Sequence, residues 1–402
     1  MAQTRRALIA AASAFALPAL APVAADGRPW GRKSKGCTGR EAYVGQGLRP
    51  QLFPSVFDAA EASAKARAHM IIHEELDEAF DKAAGQMRTQ ALCAAMITPD
   101  GGQWNQLRVP RGDPEPQMFF WASVGKAYTA TAILQMVEEG KLGLEDRLSR
   151  WAPEAPGAAF IKIDDLLTHT SGLYSFQADP GLRAAPGYKA PDQLLAAAYA
   201  QPAAFCPGAN WSYSNTGYVL LGRIIEAIDG VAYHEALTKR IVERLGLEET
   251  TILAPRQTPQ GLATPTASAA EAGGTADDLT TPFAAGAVAA SALDVVRFWR
   301  GLMANRLHGQ ATTRGRFYRL YPMAGAGPGY YGQGVMVTDL YKVDPQSRDT
   351  WLGHAGGLPG AKALVAYSVQ KNAFAAVALT GEGSPEAAAN QLFAALPDAK
   401  TA

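Results

Sequence analysis

Charge is scarce in this chain and evenly split: 18% of residues are charged, with 37 Lys+Arg against 37 Asp+Glu. That balance excludes the basic footprint of a nucleic-acid binder or of a protein held on an anionic membrane. Runs of like charge and internal repeats are missing too, which removes charged tails and solenoid arrays from consideration. Cysteine is rarer still, at positions 37, 93 and 206. No two of the three have metal-ligand spacing. The odd number allows at most one internal bridge, and the sequence does not say which pair would form it. His69 and His73 stand four apart in a stretch, 57–86, whose pattern predicts helix. No third ligand lies nearby, so no metal is expected there.

Apolar residues, by contrast, are plentiful: 48% of the 402 residues, enough for a sizeable core in two lobes. At the N-terminus, "MAQTRRALIAAASAFALPALAPVAADG" places Arg5 and Arg6 before an Ala/Leu-rich run ending in Val23-Ala24-Ala25. This fits a cleaved signal peptide, residues 1–25, and hence a periplasmic or secreted protein without a membrane span once the leader is removed. A membrane anchor is the competing reading, and Pro18, Pro22 and the weak hydrophobicity of Ala speak against it. The paired arginines hint at twin-arginine export. Residues 26–75 follow as an extension, Gly-, Arg- and Pro-rich up to residue 56 and with no assigned role.

The main domain is expected over 76–398. It opens with a hairpin, "ALCAAMI" and "GQWNQLRV" joined by Pro99-Asp100-Gly101, followed by a helix that Gly140 stops. Helical patterns such as 163–173 and 217–230 come next, then a polar, small-residue loop over 264–282 and a helix near 292–304. Several strand signals and a last helix over about 385–396 complete the chain. The order argues for an α+β fold: an antiparallel sheet flanked by helices, interrupted by an all-α lobe at about 145–283.

Within "FFWASVGKAYTATAILQMVEEG", Lys126 is the only charged residue between Trp121 and Glu138, three positions after Ser123. On a helix that spacing puts both side chains on one face. An amine among Val, Ala, Ile and Leu is desolvated, its pKa falls, and the neutral form can take a proton from a neighbouring hydroxyl. The bland alternative is a capping serine and a lysine that snorkels outward. Ser368-Val-Gln-Lys371 repeats the spacing at the end of a predicted strand, where it reads as a turn. Tyr213-Ser214-Asn215 offers a phenol, expected to titrate low beside an ammonium, and an amide to hold a carbonyl; alone it is more simply a capped turn. His354-Ala355-Gly356-Gly357 offers backbone open to close approach, or merely a glycine-rich strand edge.

In that order, Ser123-Val-Gly-Lys126, Tyr213-Ser-Asn215 and His354-Ala-Gly356 resemble the three active-site motifs of serine β-lactamases and D-alanyl-D-alanine carboxypeptidases, in the variant of class C β-lactamases and related esterases and amidases. "LLTHTSGL", "PGANWSYSNTGYVLLGRIIE" and "GHAGGLPGAKALVAYSVQKNAFAAVALTG" carry the same likeness, over roughly residues 76–396. The resemblance implies a β-lactamase/transpeptidase-like fold with the site between the lobes. It makes Ser123 the acylated nucleophile, Lys126 its proton partner and Tyr213 a proton relay. Asn215 would orient a small-molecule or peptide substrate, the N–H groups of Ser123 and Gly357 would bind the oxyanion, and no cofactor is needed. His169 and Thr170 belong to a hallmark read as structural. Many relatives have Lys where His354 stands and Thr or Ser where Ala355 stands. A partly cationic His354 and an Ala355 without a hydroxyl would grip a substrate carboxylate poorly. That weakens the case for an efficient β-lactamase and leaves room for an esterase, a D-amino-acid amidase or a modest carboxypeptidase acting on a D-alanyl peptide, with an ester or D-amino-acid amide expected to be turned over faster than a cephalosporin. The alternative is a penicillin- or peptide-binding sensor that keeps the cleft without turnover. Oligomeric state is left open.

Overall fold

The structure, a computed structural model, describes residues 37, 43, 54–185, 187–266, 279–323 and 328–399. The expected leader lies outside the described residues, as do 267–278 of the polar loop. Among the described residues no helix is long and apolar enough to cross a membrane.

Two long strands near opposite ends of the chain, β2 (Arg88–Ile97) and β12 (Ala373–Glu382), pair at the middle of a nine-stranded sheet. Their apolar runs do not alternate because helices cover both faces of the sheet. β1 (His69–Met70) and β3 (Gly102–Arg108) extend the sheet beyond β2. On the other side follow β11 (Ala361–Ser368), β10 (Thr350–Leu358), β9 (Met336–Asp339), β8 (Gly329–Tyr331) and β7 (Tyr321–Pro322). Pairing is antiparallel throughout except for β1 with β3, which run parallel.

One face packs against helices Glu74–Gly85 and Pro385–Ala395, with Leu76, Phe80, Val377, Leu392 and Phe393 in one cluster. The opposite face packs against helix Ala292–Met303, whose Val295, Phe298 and Trp299 join Val365 and Ala376 in the larger core. Helix Pro54–Lys65, in the expected extension, adds Phe57, Ala60 and Ala64 to that same core. Between β4 (Phe119–Phe120) and β6 (Val288–Ala290) the chain leaves the sheet. It forms a helical insertion that includes Gly125–Glu138, Ile163–Leu167, Pro191–Tyr199 and Asn215–Asp229. β4 and β6 join β5 (Thr250–Ile252) in a small three-stranded sheet beneath it.

Two helical expectations are corrected. Residues 57–86 are not one helix. The chain breaks after Lys65 because His69 and Met70 are drawn into register with Gly102 and Gln103, so His69 and His73 share no helix face. Likewise, the 163–173 pattern is helical only to Leu167, since His169 (φ 61°) and Gly172 (φ 73°) turn left-handed. The cysteine question is answered by a Cys37–Cys206 disulfide, with Cys93 free and buried in β2.

Candidate active site

Ser123 stands in a 3-10 turn, Ala122–Val124, and Lys126 in the first turn of the helix that follows, Gly125–Glu138. The change of winding does not separate them: Lys126 Nζ lies 3.1 Å from Ser123 Oγ. Ala122 has φ 46°, a left-handed conformation costing an L-residue roughly 1–2 kcal/mol. Trp121 holds this turn in place, its amide donating to Val288 O and its indole to Ala290 O, both at 2.9 Å. The small sheet therefore fixes where the serine sits.

The Gly125–Glu138 helix is buried over nearly all its length, which explains why its composition is apolar all round. Lys126 is fully buried, and Nζ donates to Ala285 O at 2.6 Å. It also lies 4.9 Å from the centre of the Tyr213 ring and 5.4 Å from that of Tyr218. Burial without a carboxylate partner holds its pKa well below the usual lysine value.

Tyr213 comes from the loop that leads into helix Asn215–Asp229. Its titration runs opposite to the sequence expectation: burial pushes the phenol well up, only partly offset by the Ser123 hydroxyl. The nearby lysine cannot lower it, because that lysine is itself driven toward the neutral form. Tyr213 Oη, Ser214 Oγ and Asn215 Oδ1 are buried and make no hydrogen bond of good geometry among the described residues. Such a concentration of unpaired polar atoms is unusual in a core and typical of a site that meets a polar ligand.

Strand β10 supplies the third wall. Thr350–Gly353 pair with β9, whereas His354–Leu358 pair only with β11, leaving an open hydrogen-bonding edge. A Cβ on Gly356 would stand 2.9 Å from Ser123 N and 2.3 Å from Trp121 O, so the strand runs directly against the serine turn. Gly357 follows as the exposed residue of the strand. His354 departs from expectation. It is fully buried, with Nδ1 2.7 Å from Ala355 O and Nε2 3.0 Å from Tyr331 Oη. Nδ1 must carry the proton to meet a carbonyl, so in the neutral ring Nε2 is the acceptor atom that faces Tyr331 Oη. Burial holds its pKa down at about 3. It is not partly cationic, as the sequence suggested, because the ring is desolvated.

His169 lies just beyond the Ile163–Leu167 helix, and Thr170 Oγ1 donates to Asp165 Oδ1 at 2.8 Å. The His169 ring is 4.2 Å from that of Tyr213, and Nδ1 accepts from Ser214 N at 3.2 Å. The Thr168–Gly172 turn thus props the Tyr213 loop. Sequence reasoning passed over Tyr218, Tyr331 and the carbonyl of Ala285, all of which surround Lys126 or His354. Tyr218 and Ala285 lie in family-like stretches, 207–226 and 284–303, and Tyr331 in the glycine-rich "GYYGQG", but nothing local singled out the individual residues. The second Ser-x-x-Lys is a strand-end turn: Ser368 Oγ donates to Asp349 and accepts from Lys371 N at 3.1 Å. Among the described residues no group of His, Cys, Asp and Glu could hold a metal ion.

A family model described as Beta-lactamase matches residues 80–399. Penicillin-binding protein 4* of Bacillus subtilis is 35% identical over 148 residues, 36% of this chain and 32% of that protein. Esterase EstB of Burkholderia gladioli is 32% identical over 151 residues, covering 34% and 38% of the two chains. The chain thus spans roughly a third of the length of these relatives. Among solved structures, a D-stereospecific amidohydrolase from Streptomyces sp. superposes with a TM-score of 0.69 at 26% identity, over 81% of this chain and all of that one. D-amino acid amidase from Ochrobactrum anthropi SV3 gives 0.70 at 20% identity over 80% and 97%, a likeness of fold.

Proposed function

The chain belongs to the beta-lactamase family, and from that premise we propose that it is an exported serine hydrolase acting through an acyl-serine intermediate on an ester or a D-amino-acid amide. The observation that carries the reading is the 3.1 Å approach to Ser123 of a buried lysine that has no carboxylate partner among the described residues. Burial lowers the pKa of Lys126, and in its neutral form the amine lone pair takes the Ser123 proton as Oγ attacks the substrate carbonyl. The ammonium that forms is accommodated by Ala285 O and the faces of Tyr213 and Tyr218. The amides of Ser123 and Gly357 receive the oxyanion, and Asn215 orients the substrate beside the open β10 edge.

Collapse of the tetrahedral adduct breaks the bond to the leaving group. Tyr213, a neutral phenol, donates its proton to that group and recovers one from Lys126. Water then attacks the acyl-serine, losing its proton along the same path, and Ser123 is released as the free hydroxyl. The alternative sensor has no observation in its favour, since nucleophile, base and donor all stand together. Export is consistent with the Cys37–Cys206 bridge, which belongs to an oxidising compartment.

The substrate choice rests on His354 and Ala355, which present neither a cation nor a hydroxyl where a carboxylate would dock. The test compares kcat/KM for a p-nitrophenyl ester, a D-amino-acid amide, a D-Ala-D-Ala peptide and a chromogenic cephalosporin. Ester or amide is expected to lead, and a leading cephalosporin would refute that choice. A serine-directed probe should label Ser123, and Ser123→Ala should lose several orders of magnitude in rate. An intact protein that the probe does not label refutes the hydrolase itself.

A further inference from the structure

Of the segment before residue 54, the two described residues, Cys37 and Tyr43, both pack against the stretch that leads to Tyr213. Cys37 is bonded to Cys206, 169 residues away, a few positions before Trp211 and Tyr213. Cys37 also packs with Ala203, Phe160 and Ala209 in a small cluster of its own. Six residues on, the Tyr43 amide donates to Gly208 O at 2.7 Å. The Tyr43 ring stacks on Tyr321, centres 6.2 Å apart and planes 12° from parallel. Tyr43 belongs to one apolar cluster with Trp211, Tyr213, Tyr321, Met323 and Ala355. Two of those neighbours are members of the active-site motifs. Tyr43, Tyr213, Tyr321 and Met323 are each only half-buried, so the cluster shows an apolar face beside the phenol.

A surface of two or three half-covered aromatic rings and a thioether presents no charge to a ligand. It offers flat, polarizable area suited to an alkyl or aryl group. We propose that Tyr43, tethered by the Cys37–Cys206 bridge, forms the wall of an apolar subsite next to Tyr213 that receives an alkyl or aryl group of the substrate. This rests on the hydrolase reading and narrows it: among neutral esters and amides, those with a bulky apolar group on one side of the scissile bond are preferred. The bridge and the Tyr43–Gly208 hydrogen bond anchor the segment to the same loop that carries Tyr213. The subsite wall and the proton donor therefore hold a fixed relation to one another.

The experiment measures kcat/KM for two ester pairs, p-nitrophenyl acetate against p-nitrophenyl hexanoate, and methyl acetate against benzyl acetate. The wild-type protein should favour the larger member of at least one pair. Tyr43→Ala should cut that preference by about tenfold, the scale on which a hydrophobic pocket discriminates. Tyr43→Leu, which keeps apolar bulk, should restore part of it. Cys37→Ser combined with Cys206→Ser should move the same pair in the same direction. If Tyr43→Ala changes all four esters by a common factor, or leaves both ratios unmoved, Tyr43 is structural and the inference is overturned while the hydrolase stands. If the wild-type protein cleaves no ester and Ser123 is not labelled, the hydrolase reading falls and takes the inference with it.

Discussion

Gly356 lies so close to Ser123 that a methyl group on its Cα would stand 2.9 Å from the serine amide nitrogen. The same methyl would meet the Trp121 carbonyl at 2.3 Å, and neither backbone atom can swing aside. Gly356→Ala must push β10 off the serine turn and misplace the amides that are to face the oxyanion. Losing one such donor costs about 10²–10³ in rate. We expect Gly356→Ala to lower kcat at least a hundredfold while circular dichroism shows the fold retained.

Lys126 links activity to stability through its proton. In the unfolded chain it titrates near 10.5, and in the fold well below that, so between the two values the unfolded state binds more protons. Folding stability contributed by this group therefore rises with pH across that window. Lys126→Met lacks the linkage, and its advantage in melting temperature over the wild-type protein should shrink as pH is raised toward 10. The same variant should be inactive, and Lys126→Arg as well, because a guanidinium does not give up its proton. In the wild-type protein, kcat/KM should rise with pH along a limb lying well below the ordinary lysine value.

Tyr213 makes a different prediction. With its pKa raised, the phenol stays protonated at working pH and acts as a donor. Tyr213→Phe should slow turnover by about 10²–10⁴ and leave the rising pH limb where Lys126 puts it. A Tyr213→Phe limb displaced by more than a unit would assign the base to the phenol instead.

Arg316 is fully buried and meets no carboxylate among the described residues. Its guanidinium donates to Gln333 O at 3.0 Å, Thr131 Oγ1 at 2.8 Å and Ala127 O at 3.2 Å. It thus ties the helix that carries Lys126 to the turn after β8, and burial lowers its pKa to about 10. Arg316→Ala leaves a cavity and orphaned carbonyls, a loss on the order of 3–5 kcal/mol by urea unfolding. Arg316→Met, which keeps the volume, should lose less than half as much.

Much of the fold could be read from local pattern. The hairpin at Pro99-Asp100-Gly101, the Asn215–Asp229 helix and the closing strands all follow periodicity and turn residues. The break at residues 66–73 could not, because it is imposed by pairing with β3 rather than by any proline or glycine in the segment. At the site, the proximity of Ser123 and Lys126 follows from spacing, since i and i+3 meet in either winding. The ionisation of Tyr213 and His354 does not, because it is set by what covers them. Tyr331 and Tyr43 come from distant parts of the chain and carry no local mark of where they will pack.

The pairing of β2 with β12 has a consequence for how such a chain is made. Ala91 N bonds to Thr380 Oγ1 across 289 residues, so the interior of the sheet joins the first hairpin to the last of the described strands. The ribosome releases the latter only after everything between them has been made, and until then β2 has no neighbour on that side. The centre of the larger core can therefore close only after the whole helical insertion between these two strands has been made, so its assembly is governed by the most distant partner rather than by the first hairpin.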